Sequence, residues 1–157
     1  MQMAEVRESI DVNVPVSTAY NQWTQFEEFP TFMEGVKSVT QIDDTHLRWV
    51  AEVGGKTHEW EAEITEQVPD KLIAWRSVDG KGVDGAVMFE HDGPDRTGID
   101  VHFKWDSEGM LESLGSALGI DNRRVKGDLE RFRERIERQG VESGAWRGEV
   151  HAGDKAS

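Results

Sequence analysis

The chain has 157 residues, no cysteine and a net charge of −13. A single domain is the simplest partition at that length, disulfides and thiolate metal sites are excluded, and the charge opposes binding to nucleic acid or to an anionic membrane surface. No apolar run approaches the roughly 20 residues that span a bilayer, and residues 1–12 lack a basic region followed by an apolar core. The expectation is therefore a cytoplasmic protein with no membrane insertion.

Val6, Ile10, Val12 and Val14 alternate with polar neighbours, which predicts a half-buried strand ended by Pro15. Ser17 is the expected N-cap of a first helix carrying Ala19, Tyr20, Trp23 and Phe26 on one face. Pro30 breaks that helix, and Thr31 to Glu34 is the expected second one. Val36–Ile42 begins a run of strands with imperfect alternation that allows a bulge. Leu47, Trp49, Ala51 and Val53 share one face of the next strand. Gly54-Gly55 then makes a two-residue hairpin, because glycine tolerates positive φ. On the return, His58, Trp60, Ala62 and Ile64 face one way and Glu59, Glu61 and Glu63 the other. Ile73, Trp75 and Ser77 continue the inner face, followed by Val87, Phe89 and His91, then Ile99, Val101, Phe103 and Trp105.

After Trp105 the period changes from 2 to 3.6. Leu111, Leu114, Leu118, Val125, Leu129, Phe132 and Ile136 keep one phase, which predicts a single long helix bent near Gly119. Between Asp121 and Gln139 there are seven Lys/Arg against five Asp/Glu, a local +2 on an acidic chain. Such mixed charge reads first as a solvated face and second as a docking surface. Residues 140–157 are small and polar apart from Trp146, so a flexible tail is expected there. Successive hairpins predict an antiparallel sheet, and the helix must bury its stripe on one face of it. The fold class is α+β: a seven-stranded curved sheet over 1–139, gripping a C-terminal helix, with two short helices between the first two strands.

The runs PVSTAYNQWTQFEEFPTFMEGV at 15–36, ITEQVPDKLIAWRSVDG at 64–80 and RRVKGDLERFRERIE at 123–137 resemble the polyketide cyclase/dehydrase group. That group belongs to the START-like, helix-grip superfamily (SRPBCC). The resemblance covers about residues 4–139 and rests mainly on framework positions, such as Trp23, Phe26, Phe29-Pro30 and Leu129 to Phe132. It implies a hydrophobic cavity between sheet and helix, and members that bind lipids, quinones, hormones or polyketides, a minority of them catalysing cyclisation and dehydration.

Trp49, Trp60, Trp75 and Trp105 fall on one sheet face, which is either an unusually bulky core or the wall of an apolar pocket. Four indole N–H groups converging there are easier to satisfy if the space holds water or a ligand. Phe89, Phe103 and Ser77 belong to the same face, Phe32 and Met33 to the pocket mouth, and Met110, Leu114 and Leu118 to a helical lid. His58 and Glu8 are the candidate catalytic residues, an acid/base pair if both project into an apolar space. No metal-ligand spacing, phosphate loop or cofactor fingerprint occurs among the five histidines and the glycine pairs. Three functions follow. The first is binding of a hydrophobic small molecule. The second is aromatase/cyclase-like catalysis. The third is interaction with a protein partner through the C-terminal helix or the tail.

Overall fold

The computed structural model describes residues 3–53, 55–78, 82–106 and 121–155. In chain order these form β1 (Met3–Val12), α1 (Val16–Trp23), a 3-10 helix (Phe26–Thr31), β2 (Val36–Asp43), β3 (His46–Val53), β4 (Lys56–Val68), β5 (Leu72–Ser77), β6 (Asp84–His91), β7 (Thr97–Asp106), α2 (Asn122–Gln139), β8 (Val150–His151) and β9 (Asp154–Lys155). The sheet order is β1-β7-β6-β5-β4-β3-β2, and every pair is antiparallel. Consecutive hairpins build β2 through β7, and β1 then closes on β7 in unbroken register from Met3↔Asp106 to Val12↔Thr97. The architecture is that of the helix-grip fold, with nine strands among the described residues because two short ones follow the seven expected.

Alternation decides which face is inner. Val6 and Ile10, Leu47 and Trp49, Trp60 and Ala62, Ile73 and Trp75, Val87 and Phe89, and Ile99 and Val101 are all buried. Against them α2 lays Val125, Leu129, Phe132 and Ile136, each at most 3% exposed. Burying four such side chains contributes about 1.5–3 kcal/mol apiece. Phe132 seats between Trp23 of α1 and Phe32, with ring centroids 5.1 and 5.2 Å away. Phe29 of the 3-10 helix meets Trp49 and Trp75 of the sheet. An aromatic layer thus joins α1, the 3-10 helix, α2 and the sheet.

Several local expectations change. Pro15 is the N-cap of α1 and no side chain caps it, so Ser17 lies inside the helix. The second helical segment falls at Phe26–Thr31 rather than 31–34, as a 3-10 turn that accommodates Pro30. The bulge allowed in the first hairpin strand is present, with register shifts between Val36 and Ser38 and between Gln41 and Asp43. His91 is exposed at the end of β6. A further shift between Ile64 and Glu66 reverses the phase of β4, so that Gln67 is buried instead. Gly55 has φ of +81° at the β3–β4 turn, and Gly54 lies outside the described residues.

The long helix begins later than its sequence period implies. Asp121 is extended (φ −145°, ψ 173°), and its side chain accepts the backbone N–H of Arg124 at 2.8 Å, a helix N-cap. Leu111, Leu114 and Leu118 lie outside the described residues. No helix among the described residues is long and apolar enough to cross a membrane.

Residues 140–155 are not a free tail. Val150 is fully buried and pairs with Gln67 of β4, beyond the end of β3. Gln22 and Ser143 exchange hydrogen bonds of 3.0 and 2.9 Å. The Trp146 N–H donates to Thr24 Oγ1, and Arg147 bridges Asn21 and Asp70. The segment straps α1 to the far end of β4. Its polar composition hid this, because the strap is held by hydrogen bonds, ion pairs, the buried Val150 and a partly buried Trp146.

Candidate functional site

A cavity of about 50 Å³ lies between the inner face of the sheet and α2. The sheet contributes Trp49 and Ala51 from β3, Trp60 from β4, Trp75 from β5 and Phe103 from β7. Met33, Val36 and Val83 close its sides, and Arg124, Val125 and Asp128 of α2 form its roof with Glu34 at the rim. A second void of about 10 Å³ shares Met33, Phe103 and Val125 with it and is further lined by Phe32 and Trp23.

The indoles are arranged by strand pairing. Trp49 and Trp60 are direct cross-strand partners, stacked with centroids 5.8 Å apart and planes within 6°. Trp75 stacks on Trp49 from the other side at 5.6 Å and 27°. Two glycines make room for them. A Cβ on Gly82 would lie 2.3 Å from the Trp60 ring, and one on Gly85 would lie 2.4 Å from the Trp75 ring. The Nε1 groups of Trp49 and Trp60 are buried and have no hydrogen-bond partner among the described residues. Leaving such a donor unanswered costs about 1–3 kcal/mol.

The predicted site residues divide. Trp49, Trp60, Trp75, Phe103 and Met33 line the cavity, and Phe32 lines the smaller void. Trp105 and Phe89 are buried in the same core but away from the cavity, Phe89 edge-on to Tyr20 at 5.3 Å. Ser77 is buried and its Oγ accepts the backbone N–H of Gly82 at 2.7 Å, a structural bond that ties the loop under Trp60. Leu114 and Leu118 lie outside the described residues.

Glu8 and His58 are not brought together. Glu8 is on edge strand β1 and His58 on β4, with β7, β6 and β5 between them. Glu8 accepts a 2.7 Å hydrogen bond from Asn122 at the start of α2. His58 pairs with Ala51 beside the cavity wall, and its Nε2 is buried without a partner among the described residues.

Sequence reasoning missed Arg124 and Asp128. Both flank the apolar stripe of α2, one residue before and three after Val125, where charged residues are ordinarily solvated. That flanking position was the only signal. Asp128 accepts the backbone N–H of Glu34 at 3.1 Å and the Arg131 guanidinium. Burial pushes its carboxyl up from the usual aspartate range, against those two bonds and the Arg124 charge. Arg131 also donates to the Phe32 carbonyl at 3.0 Å, and Arg135 binds Glu28 and Thr31. Arg131 and Arg135 thus hold the 3-10 helix and its C-terminal end against α2.

Residues 12–134 match the family model described as polyketide cyclase / dehydrase and lipid transport. The chain belongs to this family. An uncharacterized 17.2 kDa protein of Streptomyces lincolnensis is 48% identical over 149 residues, covering 94% of this chain and 99% of that protein. Among solved structures, one from Deinococcus radiodurans is 28% identical with a TM-score of 0.70, covering 88% of this chain and 99% of the other. The Zhui aromatase/cyclase of Streptomyces sp. R1128 aligns at 14% identity and TM-score 0.67 over 92% of this chain and 100% of its own. A START superfamily protein of Mycobacterium smegmatis aligns at 15% and 0.67 over 86% and 98%. The last two likenesses concern the fold.

Proposed function

We propose that the protein binds a hydrophobic small molecule, a lipid, quinone or polyketide-like aromatic, in the cavity between the sheet and α2. The observation that carries this reading is the pair of buried, unanswered indole N–H groups on Trp49 and Trp60, both part of an apolar cavity wall. Water or a ligand oxygen admitted beside those two groups would remove that cost. The cavity has room for a few waters and is smaller than the roughly 300–1,000 Å³ of drug-sized ligand sites. Binding is therefore coupled to displacement of side chains around Met33 and Trp60. Family membership supports the same reading.

Native mass spectrometry of gently purified protein, followed by a fluorescence titration with 2-naphthamide, tests it. A bound apolar adduct, or saturable quenching that Trp60→Ala weakens by about 2 kcal/mol or more, is the expected result. A folded Trp60→Ala variant that binds the probe as well as the parent defeats the proposal.

An aromatase/cyclase-like enzyme is the second reading, and Asp128 favours it: a cavity-lining carboxyl that burial makes readier to hold a proton. Asp128→Asn should then lower turnover of a poly-β-ketone thioester about 10²–10⁴-fold; unchanged turnover removes Asp128 from the chemistry. The protein-partner reading is weakened, because Arg131, Arg135 and residues 142–155 are engaged within the molecule.

A further inference from the structure

We infer that Arg124 is the polar anchor of the bound molecule. On the reading above, which this inference deepens, the cavity takes a ligand with an aromatic body and an acidic oxygen. The body lies against the indoles and the oxygen, a carboxylate or an ionised phenol, meets the Arg124 guanidinium.

Three observations carry it. Arg124 lines the cavity roof, yet no hydrogen bond or ion pair engages its guanidinium among the described residues. Its backbone N–H is bound by Asp121, which fixes the first turn of α2 and so the direction of the side chain. The other arginines of α2 nearest this rim, Arg131 and Arg135, are both committed to carboxylates and to the 3-10 segment.

The rim is prepared for the guanidinium. Gly35 has φ of +83°, and a Cβ there would sit 2.5 Å from Arg124 Nη2. Only a residue without a side chain leaves that berth open. Neither acid of the rim is hydrogen-bonded or ion-paired to Arg124, though its charge acts on Asp128: Glu34 lies 3.8 Å from Arg131, and Asp128 is bonded to Arg131 and the Glu34 N–H. Two arginines thus face two carboxyls, one of which burial disfavours in its charged form. Among the described residues the rim is therefore formally neutral, on a chain of net charge −13. A guanidinium in that setting matches a carboxylate bidentately and holds it more strongly than it would a neutral acceptor. An aromatic body suits a wall built from Trp49, Trp60, Trp75 and Phe103.

The test compares 2-naphthoate with 2-naphthamide, two probes with one aromatic body and different charge. Affinities are measured at pH 7 by tryptophan quenching and calorimetry on the whole chain and on Arg124→Gln, Arg124→Lys and Arg138→Gln. The expected result is an approximately tenfold preference for naphthoate in the parent chain. Arg124→Gln abolishes the preference, with naphthamide affinity held within about twofold. Arg124→Lys keeps part of it, and Arg138→Gln, an exposed change of the same net charge, keeps all of it. Arg124 makes no side-chain bond whose loss would unfold the chain, and a melting curve checks this. Equal binding of the two probes by the parent chain, or a preference that survives Arg124→Gln, overturns the anchor and leaves the pocket standing. Binding of neither probe overturns the pocket and the anchor together.

Discussion

Val150→Ala tests whether the C-terminal strap belongs to the cooperative core. Val150 is 0% exposed and paired with Gln67 of β4. The substitution removes two buried carbons, about 0.8 kcal/mol each in transfer energy. The hole left behind adds a further term, because neighbours relax only in part. The sum is about 2–3 kcal/mol. For a chain of this size that lowers the melting temperature by roughly 4–12 °C. Calorimetry reads the shift directly, and limited trypsin digestion supplies a second view, since Arg147 and Lys155 lie on the strap. The variant should be cut at Arg147 faster than the parent chain. Val141→Ala, at a position 64% exposed, serves as control and should stay within about 0.5 kcal/mol. If Val150→Ala is as silent as Val141→Ala, and the parent chain is cut at Arg147 immediately, the strap is not part of the native core.

Other expectations follow from the same geometry. Gly85→Ala would place a Cβ 2.4 Å from the Trp75 ring, so thermal unfolding should show a loss of about 1–3 kcal/mol with altered tryptophan emission; Gly98→Ala, whose nearest atom would be at an ordinary 3.5 Å, should not share it. Burial raises the Tyr20 hydroxyl to about 12, against the charge of Arg147 beside it. Its contribution to stability is therefore complete below the unfolded value near 10 and is lost as pH rises towards 12. Denaturation midpoints should fall over that window in the parent chain and fall less in Tyr20→Phe; equal slopes would contradict this. Asp121→Ala removes the cap of α2 and should cost about 1 kcal/mol, measurable in the same melts.

The sheet was readable because period-2 alternation and glycine or proline turns agreed over β3 to β7. It failed where one residue reset the phase. The shift after Ile64 put Gln67 inside, and no composition signal marks a bulge of that kind. Periodicity carried through Gly119 also hid the extended Asp121, since a helical phase can persist across a break. The cavity wall was readable as an aromatic face. Its roof was not, because Arg124 and Asp128 look like ordinary solvated helix residues until α2 is laid over Gly35 and Trp49. Glu8 had the right face and the wrong neighbourhood: alternation places a side chain above or below a sheet but says nothing of how far across the sheet its partners stand.

The pairing of β1 with β7 has a consequence for how the chain is made. Every contact in that ladder joins residues 85 to 103 positions apart, from Val12↔Thr97 to Met3↔Asp106. At ribosomal rates of about 5–20 residues per second, β1 exists for roughly 4–20 s before its partner has been synthesised. The hairpins from β2 to β7 have no such delay, because each strand is followed at once by the next. Sheet completion is thus a late, non-local step. In the interval β1 offers Val6, Ile10 and Val12 as an unpaired apolar edge, which makes the first strand the place where a nascent chain of this family would call on a chaperone.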